Sequence, residues 1–367
     1  MKKAVLGILT ISLLTGCWDQ LPLRDIHLTD MLIMDLDEDN GGIVIGNVVS
    51  VLSNANQGGG EPNSEMTLIK ESSLTEVVAK GDHLDQGPLL LTTIRMYVLR
   101  ERFAGSDKLR QLSLLLHSPY TSINSPIVIL DGPLSDLMKI NRGKKPYTQV
   151  LNEFMESLTD IGVTPVTSMM HFIVAQKSTL EDMAIPMVKP SSARIDFSGF
   201  LLFRKGTSTG VKLDNEQAQM LMLLLGETKG RQKISGDLGK DTHYLFSVKK
   251  GRSKIVVHPN SDGLPKISVN VRLQIYAFEL GQEAIIRKAD YVNQREKELN
   301  EHLEALALET IKTMQKANSD VLGIGKEIKA YHPSIWKALN WRQDYPQLSV
   351  EPRFDVQILN TEVLKTR

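Results

Sequence analysis

Four short stretches of this chain carry residue types that could do chemistry. Cys17 is the only cysteine, and it ends the run Leu14-Thr15-Gly16-Cys17. A thiolate is a nucleophile, so its sulfur can take up a lipid group, and the small residues before it allow a protease to cut there. Ser208 stands in Gly206-Thr207-Ser208-Thr209-Gly210, which fits the Gly-x-Ser-x-Gly elbow of serine hydrolases. Asp35, Asp37 and Asp39 are spaced like the start of a calcium loop. Gly323-Ile324-Gly325-Lys326 has the look of a phosphate-binding turn.

The surroundings of each stretch decide between these chemistries. Before Cys17 lie a basic pair, Lys2 and Lys3, and the uncharged apolar run from Ala4 to Leu14. That run is too short for a membrane helix, which needs roughly 20 residues. It has the form of an export signal, and its ending resembles a bacterial lipobox. The expectation is a signal peptide over residues 1–16 and a mature chain that starts at a lipidated Cys17. Two acyl chains there would anchor durably.

The other stretches fit ordinary turns. An elbow needs its serine between a strand and a helix, whereas Val211-Lys212-Leu213 reads as a returning strand after a hairpin tip. The acidic run has its glycine one place late, at Gly41, and Gly46 where a calcium loop needs glutamate. The late Gly-x-Gly lacks a third glycine and follows a helix, against both nucleotide-binding patterns. The eight histidines show no metal-ligand spacing. Neither a catalytic residue nor a cofactor is expected.

Lys plus Arg and Asp plus Glu total 43 each, so no basic excess points to nucleic acid, and no polybasic stretch points to anionic lipid. With Cys17 acylated, no thiol remains for a disulfide or a metal. Packing must hold the fold together. The length suggests two or three domains.

Strands are expected at Met31–Met34 and Ile43–Val51, around the polar turn Asp35–Gly42. A loop is expected from Asn56 to Asn63, and a short helix from Ser73 to Lys80. Thr92–Leu99 alternates like a half-buried strand, and Pro126–Leu130 reads as another. Leu134–Ile140 and Tyr147–Ile161 have helical spacing. The prolines and serines of Ala184–Ser192 suggest a boundary. Beyond it come a strand at Ile195–Phe203 and an N-cap at Asp214, with Gln217 as capping-box partner. The helix that follows to Leu225 is apolar on nearly all sides. A hairpin around Gly251 is expected from Tyr244 to His258, then a strictly alternating strand from Ile267 to Ala277. Asp290–Ala317 is an amphipathic helix with Leu299, Leu303, Leu306 and Ile311 on one face. A short helix at His332–Leu339 and strands from Leu348 to Leu359 close the chain.

The pattern gives an α+β protein with antiparallel sheets. The expected units are residues 17–190, divisible near residue 110, and a C-terminal domain at 195–367 in which an antiparallel sheet packs with helices.

Gly16-Cys17-Trp18-Asp19, the block Phe200–Leu225, and the late block Asp320–Lys326 with Pro333 and Trp336 occur in an order that resembles the C-subunit lipoproteins of spore germinant receptors, the Ger(x)C family. Pro22 departs from the family's usual acidic residue. The resemblance implies a lipid-anchored, three-domain α+β protein on the outer face of the spore inner membrane. It implies two integral-membrane subunits as partners, a response to nutrients that starts germination, no enzymatic activity, and Cys17 as the lipidation site. Two other readings stay open. A solute-binding lipoprotein of a transporter would show two similar α/β lobes around a cleft. A lipid-anchored serine hydrolase would show an exposed Ser208 beside a histidine.

Overall fold

The structure, a computed structural model, describes residues 29–52, 62–81, 83, 91–117, 121–140, 145–191, 194–238, 243–260, 263–280 and 289–359. Cys17, the signal segment and most of the loop expected at Asn56–Asn63 lie outside the described residues. Among the described residues twelve strands form two sheets. The first has eight strands in the order β3-β2-β1-β4-β5-β6-β7-β8, and the second has four in the order β12-β11-β10-β9.

In the first sheet, β1 (Thr29–Leu36) and β2 (Ile43–Leu52) form the expected hairpin, and β3 (Pro62–Glu71) extends it. β3 went unread because its polar sequence, Pro62-Asn63-Ser64-Glu65, lacks an apolar alternation. Next come β4 (Met96–Arg100), β5 (Ile127–Leu130) and β6 (Met183–Pro190), then the hairpin β7 (Ile195–Arg204) and β8 (Thr207–Leu213). The purely antiparallel expectation is corrected here: β1, β4, β5 and β6 pair in parallel. Central parallel strands are covered on both faces and read as continuous apolar runs. Thus Met96 to Leu99 and Ile127 to Leu130 are buried throughout, not half-buried.

Helices cover both faces. On one side lie α1 (Leu74–Gly81), a 3₁₀ run at Asp107–His117 and α3 (Met169–Lys177), around Leu32, Tyr97, Phe103, Phe172 and Phe203. On the other lies α2 (Tyr147–Ile161), around Met31, Ile33, Val98 and Leu151. Alternate residues of β1 thus feed two different cores.

The boundary read at Ala184–Ser192 coincides with a strand as far as Pro190. That strand is β6, which sits inside the sheet and pairs Pro186 with Phe200 and Pro190 with Ile195. Its prolines hide the strand from a reading of the sequence. Hydrogen bonding then continues through β7 and β8, so Ile195 starts a strand of the first sheet, and residue 110 lies in the 3₁₀ run between β4 and β5. β7 serves two cores at once. Leu201 and Phe203 face the N-terminal core, whereas Phe200 and Leu202 face the C-terminal one.

The second sheet consists of β9 (Lys233–Asp237), β10 (His243–His258), β11 (Lys266–Leu280) and β12 (Val350–Ile358). The hairpin expected within 244–258 is one long strand, β10, with a bulge near Lys249. Gly251 marks a close approach rather than a turn, because a Cβ there would meet Thr228 at 2.6 Å. β9–β10–β11 is antiparallel, and β12 joins in parallel.

One face of this sheet packs under α4 (Asn215–Leu225), α5 (Ala289–Lys316) and α6 (Ile324–Tyr331). α4 is capped by Asp214, whose Oδ1 accepts from Gln217 N at 2.9 Å. The Gln217 side chain does not close a capping box; its amide donates to Thr313 Oγ1 on α5 at 3.2 Å. Met220 to Leu224 are all buried, as an all-round apolar helix requires. α5 buries Leu299, Leu303, Ala307, Ile311 and Met314, with Leu306 partly covered.

A second stripe on α5 caps the edge of the sheet. Glu304 Oε1, Asn300 Oδ1 and Glu296 Oε1 accept from the backbone N–H groups of Phe354, Val356 and Ile358 at 2.9, 3.0 and 2.8 Å. Four helix residues rise about 6 Å and two strand residues about 6.6 Å, so the two periods stay in step over three bonds. An edge that could template another strand is thereby closed.

Candidate functional site

The four chemical stretches resolve as follows. Lys205 (φ 50°) and Gly206 (φ 67°) form the two-residue turn between β7 and β8, the left-handed pair a type I′ hairpin needs. Ser208 already lies in β8, and its Oγ accepts from Gly210 N at 3.1 Å. Among the described residues no histidine is bonded to it, so an elbow is absent from this part of the chain.

The acidic turn is held by cations on its own structure. Arg102 pairs with Asp35 and with Glu38, and Lys70 stands 3.4 Å from Asp37. Two carboxylates on the guanidinium drive the Arg102 pKa up. Among the described residues no cluster of three or more His, Cys, Asp or Glu is placed to hold a metal.

The late glycine block belongs to a buried polar junction between the two halves. Asp182, just before β6, has a fully buried side chain. It binds Arg342 through both oxygens, at 2.5 Å from Nη1 and 3.0 Å from Nη2. It also accepts from the backbone N–H of Lys205 at 3.1 Å and of Asp320 at 2.8 Å. Asp320, 1% exposed, accepts in turn from Ile324 N at 2.9 Å and Gly325 N at 2.8 Å. Those bonds start α6. Gly325 has no room for a side chain, since a Cβ would lie 2.6 Å from the Trp341 ring.

Further bonds cross the same seam. Ser319 Oγ donates to Phe203 O at 2.8 Å and Arg342 Nη2 to Thr179 O at 2.7 Å, while within the C-terminal half Tyr345 OH donates to Ser319 O at 3.1 Å. Lys326 pairs with Glu181 at the rim.

Two carboxylates share one guanidinium here, so one negative charge is in excess. Burial, with Asp182 beside it, accordingly pushes the Asp320 carboxyl up to about 6, against the pull of its two N–H donors and Arg342. Burial beside the same carboxylates raises the Tyr345 phenol well above its usual range. The chemistry of such a junction is structural: both terminal nitrogens of Arg342 point at protein acceptors, while its Nε and the Trp341 Nε1 are buried without a partner. Sequence reading marked Asp320–Lys326 as a block but missed Asp182 and Arg342, which are 160 residues apart and carry no local signal.

One open cleft of about 640 Å³ lies at the N-terminal ends of β4 and β5, beside α2. Met155, Ile127 and Val166 line it together with Arg95, Glu156 and Asp160. No histidine is among the described lining residues. Ser168, which also lines it, serves as the N-cap of α3, accepting from His171 N at 3.3 Å. The cleft therefore shows no nucleophile–base pair. Among the described residues no helix is long and apolar enough to cross a membrane.

Comparison with known proteins gives a consistent result along the chain. Residues 19–190 match the family described as Spore germination protein N-terminal domain, and residues 198–362 match Spore germination B3/GerAC like, C-terminal. The chain is 21% identical over 365 residues to "Spore germination protein GerQC" of Bacillus cereus, covering 99% of both chains. It is 21% identical over 408 residues to "Spore germination protein KC" of Bacillus subtilis (strain 168), covering 98% of this chain and 95% of that one. The crystal structure of the GerBC protein shares the fold with a TM-score of 0.60 at 15% identity, over 90% of this chain and 97% of that one.

Proposed function

Because this chain belongs to the GerAC-like family of spore germination proteins, we propose that it is the C subunit of a nutrient germinant receptor. In this reading Cys17 carries a lipid that holds the protein on the outer face of the spore inner membrane. Two integral-membrane subunits, of A and B type, complete the receptor. The subunit works through its surfaces and catalyses nothing. A lipid tether holds it at high effective concentration beside its partners, so weak interfaces suffice.

The observation that carries the reading is the ordered match of both family halves along the chain, together with relatives of the same length whose names place them in spore germination. The buried polar junction is in keeping with a subunit that presents fixed surfaces. A transporter's solute-binding lipoprotein gains no support from one shared sheet in place of two similar lobes. A hydrolase gains none from Ser208 in a hairpin strand.

Deleting this protein in a strain that lacks related receptors should abolish germination by one nutrient class, while calcium–dipicolinate still triggers it. Cys17→Ala should release the protein from the membrane fraction or block its processing. Normal nutrient germination in the deletion strain would refute the receptor assignment. An unmodified Cys17 in mass spectra of the mature N-terminus would refute the anchor alone.

A further inference from the structure

We infer that the uncovered face of the second sheet is a docking surface for an anionic phospholipid membrane. The helices α4, α5 and α6 cover one face of this sheet, and the outward positions of its strands stay exposed. Across the four strands the exposed charged residues are eight Lys or Arg against four Asp or Glu. The whole chain is balanced, so this excess is a local feature of one face.

The arrangement of the cations is unfavourable for the protein alone. Arg252 on β10 stands directly opposite Arg272 on β11, with Lys250 and Lys254 in the next outward positions of β10. Like charges in facing positions of a sheet destabilise it. Asp355, 3.5 Å from Arg272, offsets part of this. A shallow hollow of about 490 Å³ opens here, lined by Lys250, Arg252, Arg272 and Gln274, with Asp355 and Glu296 at its side. An arriving anion would relieve the repulsion.

Farther along β11 the face turns aromatic. Tyr276 is 37% and Phe278 is 52% exposed. The ammonium of Lys249 lies 5.3 Å from the Tyr276 ring centroid, and that of Lys233 lies 5.8 Å from the Phe278 ring. Rings beside long cationic stems suit the boundary of a bilayer. The ring enters the acyl region while the ammonium reaches the phosphates.

Lysine is the commonest cation on this face, with Lys233, Lys249, Lys250, Lys254 and Lys266 all exposed. Protein interfaces are depleted in lysine, whereas an anionic membrane surface attracts it. This contact is separate from any lipid on Cys17 and would set the orientation of the molecule on the bilayer.

The test uses the chain from Trp18 onward, which keeps every described residue and has no acylation site. Sedimentation with vesicles of phosphatidylglycerol and phosphatidylcholine, against pure phosphatidylcholine, measures the partition. Strong binding to the anionic vesicles and loss of it between low and high salt are expected. Each cation near such a surface contributes about fivefold. The triple variant Lys250→Gln, Arg252→Gln, Lys254→Gln should therefore bind on the order of a hundredfold more weakly. Phe278→Ser should weaken binding while keeping the salt dependence. Neutralising Lys139, Lys145 and Lys297, which lie off this face, should change binding far less, with unchanged circular dichroism in every variant. Equal binding to neutral vesicles, or an equal effect of both triple variants, overturns the inference. Self-association abolished by the first triple variant, without vesicle binding, would assign the face to a second copy instead and overturn it too.

Discussion

At the residue scale the decisive group is Asp182, because four donors converge on its fully buried carboxylate. Arg342 neutralises it, so removing the guanidinium leaves an uncompensated buried charge. Breaking a buried pair in this way typically costs about 3–5 kcal/mol. Arg342→Ala should lower stability by that order in urea unfolding, and a loss under 1 kcal/mol would mean that solvent reaches Asp182. Asp320 makes a pH-dependent contribution of the opposite kind to an ordinary salt-bridged acid. Its carboxyl is raised from 3.8 to about 6 by burial, so the folded state holds the proton more tightly than the unfolded one. The stabilising effect is full below about pH 4 and is lost as pH rises through about 6. At about 1.4 kcal/mol per pKa unit the whole swing is roughly 3 kcal/mol. Asp320→Asn cannot titrate, so the stability advantage of the wild type over it should shrink between pH 4 and pH 7. A difference that stays constant over that window would show that Asp320 does not titrate there.

At the element scale α5 does two jobs with two stripes. Leu299, Leu303 and Ile311 fill the core, while Glu296, Asn300 and Glu304 satisfy the edge of β12. The apolar stripe was legible from its helical spacing. The polar stripe was not legible, since nothing in a Glu-x-x-x-Asn-x-x-x-Glu repeat announces a strand edge beside it. Leaving a buried N–H without a partner costs about 1–3 kcal/mol. Asn300→Leu and Glu304→Leu should each destabilise by that order, although leucine is a strong helix former. The double variant should also aggregate faster near its melting temperature, because the strand edge is freed. Unchanged melting and light scattering would mean that water serves those N–H groups equally well.

At the scale of the whole molecule, the two family halves meet through a strand that belongs to both cores. Phe200 and Leu202 pack on one side of β7, and Leu201 and Phe203 on the other, while Asp182, Asp320 and Arg342 lock the same seam. Burial shared in this manner couples the halves energetically. The expected outcome in calorimetry is one transition whose van't Hoff and calorimetric enthalpies agree. Two well-separated transitions would mean that the seam opens before either core does.

Signals within about a dozen residues fixed much of this protein. The helix Tyr147–Ile161, the cap at Asp214 and the alternation of Ile267 to Ala277 all rest on local chemistry or on a single period. So did the exclusion of an elbow at Ser208, since the returning strand follows within three residues. Three things needed the tertiary structure. The parallel centre of the first sheet pairs strands that are distant in sequence, and buried parallel strands carry no alternation to read. The strand β6 is hidden by its prolines as long as the pairing of Pro186 with Phe200 is unknown. The junction of Asp182 with Arg342, like the basic face that spreads over β9 to β12, assembles residues whose proximity exists only after folding, because side-chain charges and hydrogen bonds act through space and leave no period along the chain.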